Sequence, residues 1–384
     1  MGFLRVSGLV VAAIVALSAA SLSAQTYTRT QSSVAYSQRS GGGTNVPFTE
    51  RFDNGVKQVQ LPFAFPFFDR TYNGCWMNTN GQVSFANGFL GQSDSTSLAT
   101  VVPAGAQREA INAFRTNLIA SDFESTAYTV HFETNRVVFQ WRNVRISEGG
   151  AEELIIVNFQ VHLLSSGEIQ LHYGPETQIF SESPNFVSGI VNADGTAAFA
   201  GFGNLLTVQT ARPLADTVVS LIPSGFTQAA GINVAPNTNN DPERAILPNT
   251  NDIVIGRFSM TARGAGGTVT SIAVSHMNVA VGQPITTRLY RDSAPFGTFD
   301  GSDVQVGTTQ SPSGTSVSTF SALTETITTG TTHYLVLANT GALTDDTTGA
   351  TSVSPAGITS AATVWGGYSS HFRHVSDGPE AVVM

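Results

Sequence analysis

One cysteine, Cys75, and one lysine, Lys57, are all that this 384-residue chain has of either residue. A single thiol excludes an intrachain disulfide, so the fold has to rest on core burial and strand pairing. Charge is scarce as well: 12% of residues are Asp, Glu, Lys or Arg, and the net charge is −9. Nucleic-acid binders carry a basic face, so no nucleic-acid partner is expected. Beyond the first two dozen residues no apolar run is long enough to span a bilayer, and no membrane span is expected in the mature chain. Also missing are a Gly-x-Ser-x-Gly elbow, a His-Glu-x-x-His pair and a Gly-rich phosphate loop. These absences point away from an enzyme.

The N-terminus carries a signal of its own. Arg5 precedes the apolar run Leu9 to Leu17, and small residues follow through Ala24. That order is expected of a secretory signal peptide, residues 1–24, cut after Ala24 or, as second choice, after Ala20. The destination is then secreted, extracellular or cell-surface, with the periplasm also open. Buried in an oxidising compartment beside Trp76, Cys75 reads as a structural thiol.

The remaining composition is rich in Gly, Ser, Thr and Asn, which favours strands and tight turns over helices. Residues 25–45 are polar and end in a Gly run, and they read as a flexible leader. Leu61 to Phe68 places Phe63, Phe65 and Phe67 on one face. Pro62 and Pro66 there lack donors, which predicts an edge strand. Asn73-Gly74, Asn80-Gly81 and Asn87-Gly88 are hairpin-turn signals. Gln107 to Phe114 is the one helix candidate. Tyr128 to Phe132 and Arg136 to Arg142 form a strand pair with Tyr128, Val130 and Phe132 inward. Glu153 to Leu164 and Glu168 to Tyr173 form a longer hairpin. Its odd positions, from Ile155 to Tyr173, face a core, while Asn158, Gln160, His162 and His172 face out. Residues 223–250 read as a linker, and residues 251–384 carry a second set of strand candidates. The fold class is therefore all-β, with two β-sandwich domains: residues 46–222 and a smaller Ig-like one at 251–384.

The first block resembles the nidogen-like extracellular β module of secreted proteins, bacterial ones included. The resemblance is carried by Phe63-Ala64-Phe65-Pro66-Phe67-Phe68 and by Trp76 through Phe85 with its Asn80-Gly81 turn. Ile119-Ala120-Ser121-Asp122-Phe123, Val138 to Trp141, and Asn158 through Ile169 continue it. It implies a noncatalytic part of a matrix, adhesion or surface protein. Ser121 stands where the family pattern has Pro. The second block is similar, around Arg288 to Asp292 and Phe299 to Asp303, to accessory Ig-like modules of bacterial secreted proteins.

Three clusters could carry chemistry. His131, His162 and His172 share the polar face of their strands. His162 falls opposite Gln170 and His172 opposite Gln160, and three neutral imidazoles make a zinc set. Against that stands the reading of ordinary surface polar residues. Asp292, Asp300 and Asp303 lie in one Gly-containing loop, the kind of oxygen-rich segment that holds calcium, although Asp also favours turns for local reasons. Trp365 and Tyr368, in a Gly/Ser/Thr context, read as exposed aromatics for ligand contact. Carboxylates at Asp122, Glu124, Glu152, Glu153, Glu168, Glu176 and Glu182 could pair across a glycosidase cleft. Three functions stay open. The first is a noncatalytic surface or matrix protein that binds extracellular proteins or glycans. The second is a secreted carbohydrate-binding protein or glycoside hydrolase. The third is a self-associating filament or envelope subunit.

Overall fold

The computed structural model describes residues 25–40, 43–45, 55–86, 109–120, 126–146, 155–175, 186–202, 215–237, 244–246, 250–277, 286–311, 317–340 and 348–374. The signal-peptide residues 1–24, Asn87-Gly88 and every candidate carboxylate except Glu168 lie outside them. Apart from one 3-10 turn, Pro355–Gly357, the regular structure among the described residues is strand. None of them forms a helix long and apolar enough to cross a membrane.

Two sheets enclose the first core. One runs in the order Thr26–Ser33, Thr217–Ser224, Ile169–Tyr173, Ile156–Leu164, Arg136–Ile146, Ala127–Glu133, Thr44–Asn45. The other runs Ala198–Ala200, Val187–Val191, Ala110–Arg115, Gln82–Ser84, Arg70–Asn78, Val56–Phe67. The long hairpin has the register its alternation predicts, with His162 opposite Gln170 and Gln160 opposite His172. Ile155, Val157, Phe159, Val161, Leu163, Ile169, Leu171 and Tyr173 all enter the core. Trp141 stacks on Phe159 there, and its Nε1 donates to the Asn78 carbonyl at 2.9 Å. The Phe-Pro segment is an edge strand as expected. Its pairing with Arg70–Asn78 breaks between Gln60 and Phe65, where Pro62 has no N–H to give. Cys75 is fully buried, and burial pushes its thiol well up.

Several expectations fail for physical reasons. Ala110–Arg115 is a strand buried at all six positions, not part of a helix. Partners on both edges and both faces erase the alternation that would have marked it. Asn73-Gly74 lies inside Arg70–Asn78 rather than at a turn. Asn80-Gly81 does turn, with Gly81 at φ +80°. Phe132, expected inward, is 41% exposed at the end of its strand.

Residues 25–45 are not a free leader. Thr26–Ser33 pairs along all eight residues with Thr217–Ser224, and Thr44–Asn45 pairs at the opposite edge of the same sheet. These two strands are the opposite edges of that sheet. The segment 34–40 leaves the first edge toward the other, six interstrand gaps of roughly 4.8 Å away. It lies as a strap on the sheet's outer face.

Residues 223–250 are not simply a linker. Gly231–Pro236 is buried throughout and sits between Ile253–Arg263 and Val364–Gly366 in the second unit. Ile232 and Val234 enter that unit's core, which sheets of six and seven strands enclose among the described residues. This is more strand than a small Ig-like sandwich of about seven to nine uses.

The two units are stitched together. Trp365 belongs by sequence to the second unit, yet it fills the first core and donates Nε1 to the Thr71 carbonyl at 3.0 Å. Trp76 Nε1 donates to Ser369 Oγ at 3.0 Å, and Gln58 bonds both Gly367 and Ser369. Arg263 donates to Asn73. A Cβ on Gly74 would come within 2.7 Å of Pro236, so this contact requires glycine.

Candidate functional site

The structure places the three histidines on one outer face, beneath the strap. Gln140 treats the strap as a strand would: its Oε1 accepts Arg39 N–H at 2.8 Å and its Nε2 donates to the Arg39 carbonyl at 3.1 Å. Gln160 Nε2 donates to the Ser37 carbonyl at 3.0 Å and to Gln140 Oε1 at 2.8 Å. These donations fix Gln160 Oε1 as an acceptor, so His162 Nε2, 2.8 Å away, carries the proton. His172 stacks on His162 with ring centroids 3.9 Å apart and bonds Gln170 Oε1 through its own Nε2. At the far side His131 meets Thr129 Oγ1 at 3.0 Å, and Gly43 passes over its ring. The strap is fixed further by Tyr36 N–H to Asp216 at 2.7 Å and by an Arg39–Glu133 ion pair at 3.2 Å.

This is a hydrogen-bonded line, not a zinc site. His131 and His162 both register with Val138, on the two sides of Arg136–Ile146, so two strand spacings of about 4.8 Å separate them. Zinc nitrogens have to sit about 2 Å from one ion. Among the described residues no three His, Cys, Asp or Glu side chains are grouped to hold a metal. Burial lowers the pKa of all three histidines, to about 2 for His162 and about 4 for His172, with Arg136 and Arg39 adding to the effect in both.

The aspartates of the second unit brace their own loop. Asp303 accepts Ser293 N–H at 2.8 Å through Oδ1 and Asp300 N–H at 2.9 Å through Oδ2. Asp300 Oδ1 accepts the Ser302 amide at 2.7 Å and its hydroxyl at 2.6 Å, which hold its carboxyl below the usual range. Asp292 Oδ2 accepts Gly297 N–H at 2.7 Å and Asn237 Nδ2 at 3.1 Å. Oxygens spent on loop amides do not converge on a cation, so the set does not fit calcium.

Trp365 and Tyr368 are 1% and 2% exposed, the reverse of the sequence expectation. Tyr368 Oη accepts Arg257 N–H at 2.8 Å inside the second unit. The exposed aromatics are elsewhere. On the braced loop Phe296, 54% exposed, stacks on His333 with centroids 4.0 Å apart. Phe299 sets its edge on Tyr290 at 4.8 Å. Sequence reasoning passed over both pairs because each joins residues from different strands or loops. It also missed Glu109, which accepts from Arg70 and, at 2.8 Å, from Tyr72 Oη. Burial pushes Glu109's carboxyl up, and Arg70 beside it pulls it back down. Glu168, the one candidate carboxylate described, accepts Gln170 Nε2 at 2.8 Å.

Comparison with known proteins gives one family. The family described as NIDO related matches residues 26–240. No curated protein matches the chain. A crystal structure of a DUF4466-family protein from Parabacteroides merdae is similar at 13% identity over 39% of this chain, with a TM-score of 0.21. The chain spans 44% of that protein's length. The family match begins at the edge strand Thr26–Ser33 and reaches past Gly231–Pro236, the strand built into the second unit. The chain belongs to the NIDO-related family.

Proposed function

We propose that this chain is an exported, noncatalytic binding scaffold that works outside the cytoplasm by contacting proteins or glycans. One observation carries the reading: the reactive side chains singled out by sequence serve the architecture. His162 bonds Gln160, whose amide holds the strap, and His172 stacks on His162, while Asp300 and Asp303 hold a loop and Trp365 locks two units. Catalytic groups are aimed at a reacting centre, whereas the bonds of these side chains run to their own fold. The N-terminal charge, apolar run and small residues support export. Expression of the full chain with fractionation and N-terminal mass analysis tests the proposal. A product beginning at Gln25 in the envelope or medium, with no turnover on glycoside substrates, is expected. An intact leader on cytoplasmic protein, or saccharide hydrolysis by the purified chain, would sink it.

A further inference from the structure

The Ser293–Asp303 loop is the most built of the exposed features. Its base is closed by Asp292, Asp303 and the Ser293 hydroxyl, which donates to the Ser302 carbonyl at 3.1 Å. It rests on the outer face of the sheet containing Ile253–Arg263, Thr286–Asp292 and Thr331–Asn339. There Asp292 registers with His333 and Tyr290 with Leu335. Tyr290 and His333 are therefore diagonal neighbours, about 7–8 Å apart. Phe296 covers His333 and Phe299 abuts Tyr290, so the two ring pairs occupy neighbouring positions on one face.

We propose that this patch is a binding platform for a neutral saccharide. The inference rests on reading the chain as a noncatalytic binder, and it names the place and the ligand class. Three features select a sugar. First, the patch is small. An aromatic side chain offers ~150–250 Å² in all, so the exposed parts of four rings fall well short of the ~800 Å² per partner of a stable protein interface. Second, the C–H face of a pyranose ring meets the negative face of an aromatic quadrupole favourably, and the rim supplies neutral hydrogen-bonding groups. Gln305 is exposed, and its bonds to Tyr290 Oη, Gly307 and Thr309 are all 3.4 Å, long enough to be exchanged for sugar hydroxyls. Third, the loop's own charges disfavour an anion: Asp300 and Asp303 lie on it, and the Arg257 guanidinium beside Gly297 is countered by Asp292. The loop's internal hydrogen bonds fix the rings before ligand arrives, which reduces the entropy lost on binding.

Native affinity electrophoresis of residues 25–384 through hydroxyethylcellulose, galactomannan, soluble starch and alginate tests this. At least one neutral polymer is expected to retard the chain. Phe296→Ala and Tyr290→Ala should each weaken that retardation tenfold or more with an unchanged far-ultraviolet spectrum, and Phe296→Trp should keep it. Retardation by a neutral polymer that is indifferent to Phe296→Ala would overturn the platform and leave the binding scaffold standing. Stronger retardation by alginate would overturn the neutral selection, and no retardation by any neutral polymer would overturn the ligand class. A dimer in solution that Phe296→Ala dissociates would give the patch to a second copy instead.

Discussion

At the residue scale, the stacked pair of His162 and His172 decides how the protein meets acid. Their ordinary value is 6.5, and the folded chain lowers them to about 2 and about 4, through burial first. The unfolded chain therefore binds more protons as pH falls. Stability from this pair is fully present above pH 6.5 and is lost progressively below it, down to about 4 for His172 and about 2 for His162. The melting temperature of the wild-type chain is expected to fall between pH 7 and pH 4. A His162→Gln/His172→Gln double variant should show a shallower fall. Equal slopes for the two proteins would exclude the pair as the source. The physical cause lies in one nitrogen: with Nε2 donating to Gln160, a proton on the buried Nδ1 of His162 would find no acceptor.

At the element scale, the strap over residues 34–40 is held by carboxamides rather than by a strand ladder. Gln160→Ala removes bonds to Ser37, Gln140 and His162, and should cost about 1–3 kcal/mol. The strap also carries Arg39, a trypsin site. Limited trypsin digestion read by mass spectrometry should leave Arg39–Ser40 intact in the wild-type chain and cut it in the variant. Cutting at the same rate in both would mean that the glutamines do not fasten the strap. The strap also shows what a sequence makes legible. The Ile156–Leu164 and Ile169–Tyr173 hairpin could be read because every second residue is apolar, which fixes both face and register. Thr26–Ser33 could not: only Tyr27 among its eight residues is buried, so its pairing leaves no apolar period. The polar face bearing three histidines was legible, but its cover was not. The binding partners of Gln140 and Gln160 on the strap lie 101 and 123 residues away in sequence.

At the scale of the whole molecule, the two units share side chains and cannot be separated at residue 251. The strand Gly231–Pro236 would be lost from a fragment 251–384, leaving Ile253–Arg263 paired only with Thr331–Asn339 and removing the strand on which Val364–Gly366 pairs. That fragment is expected to aggregate or to lack a cooperative melt, whereas a well-folded soluble fragment would refute the shared construction. Trp365 reaches a carbonyl 294 residues earlier in the chain, and its Gly/Ser/Thr neighbours hide this in the sequence. Trp365→Ala should cost about 3–5 kcal/mol. Calorimetry should show one transition in the wild-type chain and two in the variant, and a single unshifted transition in both would show that the units are held by other contacts.

The strap also orders events in time. Thr26–Ser33 pairs with Thr217–Ser224, and residues 34–40 lie across a sheet built from strands later in the chain. Thr26–Ser33, synthesised early, is therefore fastened late. Until about residue 224 has emerged, Thr26–Ser33 lacks the strand it pairs with in the folded chain.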